Sequence, residues 1–186
     1  MEPKEERILD AAFDLFYRHG YRKVSMSDIA DAGGMSRPTL YAAFANKEAV
    51  FSALVRRQRL RNEAATAERL PAARGLAAQL ACLFDIWVVE PAASVIDSPN
   101  GIDLLVNCGT YAPEALADIY AHLERQLEAV LAPAMHGKKV MSAREIAYIL
   151  RVATTGVKAS ADKLPELKKV VAGMIKMALA TVQASK

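Results

Sequence analysis

Residues 25–51, SMSDIADAGGMSRPTLYAAFANKEAVF, contain the signals for three successive helix starts. Ser25 is a typical N-cap, and Asp28, three residues later, completes a capping box. The helix begun there is predicted to end after two turns at the adjacent glycines. Ser36 and Asn46 then cap two further helices. Two short helices joined by a tight glycine-containing turn predict a helix-turn-helix.

Apolar residues follow helical spacing in nearly every other part of the chain. Further amphipathic segments cover a helix before residue 20 and about 47–69, 73–89, 102–111, 114–132, 143–161 and 166–184. We find no alternating run of β-branched residues between turn residues, so no strand is predicted. The sequence therefore predicts an all-α protein of about nine helices. We expect an N-terminal domain, residues 1–50, and a larger helical domain, residues 51–186.

The composition excludes several classes of protein. The chain of 186 residues is 53% hydrophobic, which excludes a disordered chain, and its formal net charge of +3 is no argument for a nucleic-acid partner. The charged N-terminus is followed by no apolar run, so we expect no secretory signal. The most apolar stretch, 75–89, is interrupted by Gln79 and Asp85, and we expect it to be too short to span a bilayer. These features predict a cytoplasmic globular protein without a membrane partner.

The sequence carries none of the motifs of the common enzyme classes. There is no Gly-x-Ser-x-Gly elbow, no His-Glu-x-x-His pair, no phosphate-binding glycine loop and no dinucleotide fingerprint. The three histidines share no metal-ligand spacing with each other or with Cys82 and Cys108. A redox switch through these cysteines is a weaker alternative, because apolar helical surroundings favour inert thiols. We therefore expect no catalytic residue, no metal and no cofactor.

The second helix of a helix-turn-helix points its N-terminal residues at base edges in the major groove. Here that helix is predicted to run from about Arg37 to Phe44, with Leu40 facing inward. Arg37, Thr39 and Tyr41 then face outward, where we expect them to contact a double-stranded DNA operator. Phosphate contacts are predicted at the open helix starts, for Ser25, Ser27, Ser36 and Lys47.

The same residues also have a plainer interpretation. Serines at helix starts often act only as caps. Residues 1–50 carry seven Lys and Arg against eight Asp and Glu, so the segment is not net basic. The acids, however, lie mostly on the first helix, away from the outward face of Arg37 to Tyr41.

Residues 8–51, ILDAAFDLFYRHGYRKVSMSDIADAGGMSRPTLYAAFANKEAVF, resemble the N-terminal domain of the TetR family of one-component transcriptional regulators. The resemblance implies a dimeric repressor whose C-terminal helical domain binds a small molecule and thereby loosens DNA binding. Position 43 is Ala where the family typically has His or Tyr, so one frequent phosphate contact is expected to be missing. That departure supports an alternative function, an all-α ligand-binding or interaction protein without sequence-specific DNA binding.

The resemblance also implies that the last two long helices pair with their copies in a homodimer. Their apolar stripes are compatible with this, although the alternative is that both stripes pack only within one subunit. The predicted interface residues are Ile146, Leu150, Ala153, Val157, Val170, Met174 and Met177.

A cavity for a hydrophobic or aromatic effector is expected among the middle helices, if these residues are more than plain core. Its predicted lining is Phe84, Trp87, Leu104, Cys108, Tyr111 and Tyr120. Four arginines, Arg56, Arg57, Arg59 and Arg61, crowd the long fourth helix. They either attract DNA or form a solvated, domain-bridging surface.

Overall fold

The computed structural model describes residues 3–135, 140–160 and 163–184, with the side chains of 157–160 left out. Within these ranges the chain forms ten helices and three short 3-10 turns, and no strand. The helices are α1 (Pro3–His19), α2 (Met26–Ala32), α3 (Arg37–Ala43), α4 (Lys47–Arg69), α5 (Leu76–Ala93), α6 (Pro99–Val106), α7 (Cys108–Tyr111), α8 (Pro113–Leu131), α9 (Ala143–Ser160) and α10 (Leu164–Gln183). The all-α prediction is confirmed.

The chain divides into two compact units. The N-terminal unit comprises Met1–Arg59 and Val95–Ala117, and the C-terminal unit comprises Leu60–Ser94 and Asp118–Lys186. This division differs from the predicted boundary at residue 50, because α6 and α7 pack with the first helices. Sequence periodicity identifies helices but carries no information about which distant helix each one contacts.

An aromatic cluster forms much of the core of the N-terminal unit. The Tyr21 ring stacks on Tyr111 with centroids 4.0 Å apart, and Phe16 and Phe51 lie against Tyr21 at 5.2 and 5.3 Å. The Tyr21 hydroxyl is buried, and the Glu48 carboxylate lies close to it. Burial, together with the nearby Glu48 carboxylate, raises the pKa of Tyr21 above its usual range. Residues from both segments of this unit therefore share one interior.

Helix α6 is fixed to the C-terminal end of α1 by polar contacts. The Asn100 side-chain amide donates to the Arg18 carbonyl at 2.8 Å, and the Ser98 hydroxyl donates to the Tyr17 carbonyl at 3.4 Å. These bonds satisfy carbonyls that the end of a helix leaves unpaired. At Gly101 the backbones approach so closely that a Cβ would lie 2.1 Å from the Val95 carbonyl oxygen.

The C-terminal unit is built on longer helices with continuous apolar faces. Helix α10 alone buries five residues, Leu167, Val171, Met174, Ala178 and Val182. Helix α5 contains a π-helical segment, Asp85–Val89, whose Trp87 is 1% exposed. The Trp87 indole N–H donates to the Thr66 hydroxyl at 2.8 Å, and its ring stacks on His122.

Helix α5 has 18 residues with a mean hydropathy of 1.4, so by length and composition alone it is able to cross a membrane. The expectation that this stretch is too short was therefore wrong, because α5 continues past residue 89 to Ala93. Buried core helices meet the same criteria of length and composition. The contacts of Trp87 described above are of that kind.

Candidate nucleic-acid interface

Helix α2 begins at the predicted capping box. The Asp28 N–H donates to the Ser25 hydroxyl at 3.2 Å, while the Ser25 N–H and hydroxyl both donate to the Asp28 carboxylate, at 2.8 and 2.7 Å. The backbone N–H and then the hydroxyl of Ser25 hold the pKa of Asp28 below its usual range. The donors of Ser25 already meet a carboxylate, so the structure gives this residue a capping role and leaves no open donor for a phosphate.

The turn between α2 and α3 is closed by backbone hydrogen bonds. The Met35 N–H donates to the Ala30 carbonyl at 3.0 Å, and the Gly34 N–H donates to the Asp31 carbonyl at 3.1 Å. Gly34 has a φ of +63°, the left-handed conformation that this type of helix end requires. This pattern fixes where α2 ends and where the chain turns toward α3.

Helix α3 presents one side to the interior and the other to solvent. Leu40 is fully buried, whereas Tyr41 is 52% exposed and Arg37 is exposed. The Ser36 hydroxyl caps the helix by accepting from the Thr39 N–H at 3.3 Å, and it lies 2.8 Å from the Thr39 hydroxyl. In the described part of the chain, no hydrogen bond or ion pair engages the side chain of Arg37 or Tyr41. These two side chains are therefore available to a ligand, and the Thr39 hydroxyl already has a local partner.

Lys47 lies at the start of α4, but its charge is directed back into the protein. Its Nζ donates to the carbonyls of Tyr21 and Val24, both at 2.8 Å, and lies 4.4 Å from the centre of the Tyr21 ring. The predicted cap of the same helix is confirmed, since the Asn46 side chain accepts from the Ala49 N–H at 2.8 Å. Two of the three Lys47 donors are thus used by backbone carbonyls.

Three basic residues of this region were missed by the sequence analysis. Arg22 and Lys23 are exposed on the 3-10 turn Tyr21–Lys23, directly before the cap of α2. Arg7 on α1 donates from Nη2 to the Gly33 carbonyl at 2.9 Å. Arg22 and Lys23 could have been identified from the sequence, because they form a basic pair shortly before the N-cap Ser25. Nothing in the sequence links Arg7 to the turn between α2 and α3.

The arginines of α4 differ in their surroundings. Arg57 is 6% exposed, and its Nη1 lies 2.9 Å from Glu6 Oε2 and 2.7 Å from Asp10 Oδ1. Its charge therefore links α4 to α1 and is not presented to DNA. Arg56 and Arg61 are exposed.

The predicted effector residues fall in different units. Phe84, Trp87 and Tyr120 belong to the C-terminal unit, and Leu104, Cys108 and Tyr111 belong to the N-terminal unit. Phe84 and Trp87 are almost completely buried, and Tyr111 is part of the aromatic cluster around Tyr21. Leu104 is also buried, so the structure places four of these residues in the core of a unit.

The predicted dimer residues divide between the interior and the surface of the C-terminal unit. Ile146, Leu150 and Met174 are at most 8% exposed and pack inside the unit, so they are not available to a second subunit. Ala153 is half-buried, and the Val157 side chain lies outside the described residues. Val170 and Met177 are 40% and 73% exposed, and α9 adds further exposed apolar side chains, Tyr148, Ile149 and Val152.

Comparisons with known proteins agree with this geometry. Residues 8–54 match the family described as bacterial regulatory proteins, tetR family. The HTH-type transcriptional repressor ComR of Escherichia coli (strain K12) is 31% identical over 137 residues, which is 68% of this chain and 62% of that protein. The match therefore spans less than two thirds of ComR. The HTH-type transcriptional repressor BdcR of the same organism is 37% identical over 68 residues, covering 37% of this chain and 32% of that protein.

A solved structure, Salmonella enterica GusR, has the same fold along almost the whole chain. It superposes with a TM-score of 0.71 at 21% identity, covering 98% of each chain. Through its helix-turn-helix domain, residues 8–54, the chain belongs to the TetR family of bacterial regulatory proteins.

Proposed function

We propose that this protein is a cytoplasmic transcriptional repressor that binds a palindromic operator as a homodimer and is released by a small-molecule effector. The observation that carries the proposal is the outward face of α3. Arg37 and Tyr41 are exposed there with free polar groups, on a helix whose opposite side is anchored by the fully buried Leu40. A short helix is suited to insertion into the major groove when its inner face is anchored and its outer side chains can form hydrogen bonds.

The roles of the individual side chains follow from their chemistry. The Arg37 guanidinium matches the two acceptors of a guanine edge, and Tyr41 reaches a base or a phosphate. Arg22 and Lys23 supply phosphate contacts in place of Ser25, whose donors are occupied. Ser27, Ser36 and Thr39 remain proposed contacts at the two short helix starts.

Repression is favoured over activation because the relative described above with the longest match is named as a repressor, whereas a relative named as an activator matches 30% of this chain. The two relatives of Escherichia coli described above are both named as repressors, and one of them matches more than half of this chain.

A homodimer is supported by the surface of the last two helices. Tyr148, Ile149 and Val152 form an exposed apolar strip on α9, and Val170 and Met177 are exposed on α10. Exposed apolar strips of this kind mark interaction surfaces. Two recognition helices are also what a palindromic site with half-sites about 34–36 Å apart requires. We therefore place the interface on these five residues and not on the buried stripe.

The effector site is proposed within the C-terminal unit. A cavity of about 350 Å³ there is lined by Thr66, the residue to which Trp87 donates, and by Glu63, Gln79 and Gln126. Apolar Ala67, Leu70 and Pro71 complete its walls. The polar lining suits a hydrophobic or aromatic effector that also carries hydrogen-bonding groups.

The experiment is a titration of the purified protein against the DNA upstream of its own gene, at two salt concentrations. We expect Arg37→Ala and Tyr41→Ala each to weaken operator binding by about 1–3 kcal/mol with little loss of thermal stability. Arg74→Ala, which changes an exposed arginine between α4 and α5, is the matched control and should bind as the wild type does. Repeating the titration with candidate effectors tests release.

If both α3 variants bind the operator as tightly as the wild type, the proposed recognition face is wrong. If the wild type shows no salt-dependent binding to any fragment of the genome, the alternative of a helical sensor without DNA binding replaces the proposal.

A further inference from the structure

The two helices of the helix-turn-helix have little interior of their own. Helices α2 and α3 have seven residues each, and the buried ones are Ile29 and Ala30 in α2 and Leu40 in α3. Helices this short are marginal in isolation, because nucleation is costly and few apolar groups are removed from water. Their orientation must therefore be set by contacts with the longer helices α1 and α4.

One such contact joins α4 to the start of α2. The Lys47 Nζ donates at 2.8 Å to the carbonyls of Tyr21 and Val24, and Val24 is the residue immediately before the N-cap Ser25. The ammonium is half-buried and lies over the Tyr21 ring. Hydrogen bonds from a charged donor are about twice as strong as those between neutral groups.

A second contact joins α1 to the turn before α3. The Arg7 Nη2 donates at 2.9 Å to the carbonyl of Gly33, the C-cap residue of α2. The backbone bonds that close the turn use the carbonyls of Ala30 and Asp31 and leave that of Gly33 to Arg7. A cation at a helix C-terminus is also favoured by the helix dipole.

From these contacts we infer that Arg7 and Lys47 are positioning residues, which fix the two ends of α2 and thereby the angle at which α3 meets DNA. Each reaches across more than twenty residues of sequence to a backbone carbonyl at one end of α2. Neither role is that of a phosphate contact, which we assign to the exposed Arg22 and Lys23. The inference rests on the proposed operator binding.

The test compares affinities for the operator and for random DNA over a series of salt concentrations. For Arg7→Met and Lys47→Met we expect operator affinity to fall about tenfold, while the affinity for random DNA and the salt dependence stay near wild type. Arg7→Lys and Lys47→Arg, which keep a charged donor, should recover most of the loss. Arg22→Met is the contrasting variant, expected to weaken both kinds of DNA and to lower the salt slope by about 1.

The inference is overturned if Arg7→Met and Lys47→Met behave like Arg22→Met, since both residues would then be phosphate contacts. It is equally overturned if both variants bind the operator as the wild type does.

Amide hydrogen exchange on the full-length protein gives a second measurement that needs no operator. In the two methionine variants we expect faster exchange in α2, the turn and α3, with α1 and the C-terminal unit unchanged. Unchanged exchange in α2 and α3 contradicts the positioning role even if the wild type proves not to bind DNA. Failure of the proposed function is thus distinguishable from failure of this inference.

Discussion

Helices α2 and α3 of the N-terminal unit and the last two helices of the C-terminal unit are stabilised in different ways. In the N-terminal unit, α2 and α3 bury three residues between them and are held by caps, a closed turn and two cations that bond to carbonyls. In the C-terminal unit, α10 alone buries five apolar residues. Helix α9 carries further apolar side chains that are exposed, Tyr148, Ile149 and Val152. Substitutions of the polar groups around α2 and α3 should therefore alter the geometry of these helices, and substitutions on the apolar faces of α9 and α10 should alter assembly and stability.

The difference has a physical reason. A helix that enters a DNA groove must keep one side free of protein, so it has a smaller share of its surface to bury. Hydrogen bonds at the ends of the short helices then fix their orientation, as side-chain packing does for other helices. The C-terminal helices do not need a side free of protein for DNA, and the burial of their apolar side chains holds them in place.

The largest effect is expected at the exposed apolar face of the C-terminal unit. Met177 is 73% exposed, and Met177→Asp would place a carboxylate in the proposed dimer interface. We expect the dimer dissociation constant to rise by roughly 100-fold or more, as measured by analytical ultracentrifugation. Ala172→Asp is the control, because Ala172 is exposed but lies about 140° around the helix from Met177. Equal dimerisation of the two variants would remove this face from the interface.

A smaller effect is expected from crowding the N-terminal unit at α6. A Cβ on residue 101 would lie 2.1 Å from the Val95 carbonyl oxygen, a backbone atom that moves only with its helix. Gly101→Ala should therefore lower the free energy of unfolding by about 1–3 kcal/mol, measured by urea denaturation. At Gly109, in the same unit, an added Cβ meets its nearest atom at an ordinary 3.5 Å. Gly109→Ala should be nearly neutral, and a similar loss in both variants would refute the backbone contact.

The smallest effects are expected at the two capping boxes, one in each unit. The Ser142 N–H and hydroxyl donate to Glu145 at 2.7 Å, as the same groups of Ser25 donate to Asp28 at 2.8 and 2.7 Å. Backbone and hydroxyl bonds from the serine lower the pKa of each carboxyl below its ordinary value of 3.8 for Asp28 and 4.5 for Glu145. Asp28→Asn and Glu145→Gln should each lower the urea midpoint slightly at pH 7.

The pH dependence of these two effects follows from the sign of the shifts. A carboxyl whose pKa is lower in the folded state stabilises the protein above its unfolded pKa, and that contribution is lost as the pH falls through the folded value. The difference between wild type and each variant should therefore shrink as the pH is lowered from 5 toward 2. A difference that stays constant over this range would show that the carboxylate charge is not what the cap uses.

The boundaries of the helix-turn-helix were predictable because their causes are local. The box at Ser25, the caps at Ser36 and Asn46 and the turn at Gly34 all depend on residues within a few positions of one another. Local hydrogen bonds of this kind are encoded in the spacing itself. The prediction of an inward Leu40 beside an outward Tyr41 is confirmed for the same reason.

The faces of the last two helices were not predictable to the same degree. Helix α9 is apolar on two sides, so the spacing of Ile146 and Leu150 did not reveal that they face inward while Ile149 and Val152 face outward. A hydrophobic stripe shows that a surface is covered but not what covers it. The hydrogen-bond partners of Lys47 were also missed, because they are two backbone carbonyls more than twenty residues away and no sequence pattern indicates such a contact.

The contribution of residues 95–117 to the N-terminal unit sets a rule for exchanging parts between regulators. A chimera made by cutting near residue 50 would leave the Tyr21 ring without Tyr111 and the end of α1 without Asn100. The transplantable module is two pieces of chain, Met1–Arg59 and Val95–Ala117, and the two must be inherited together. In evolution as in engineering, a new C-terminal unit can be joined to this N-terminal unit only if residues 95–117 stay intact.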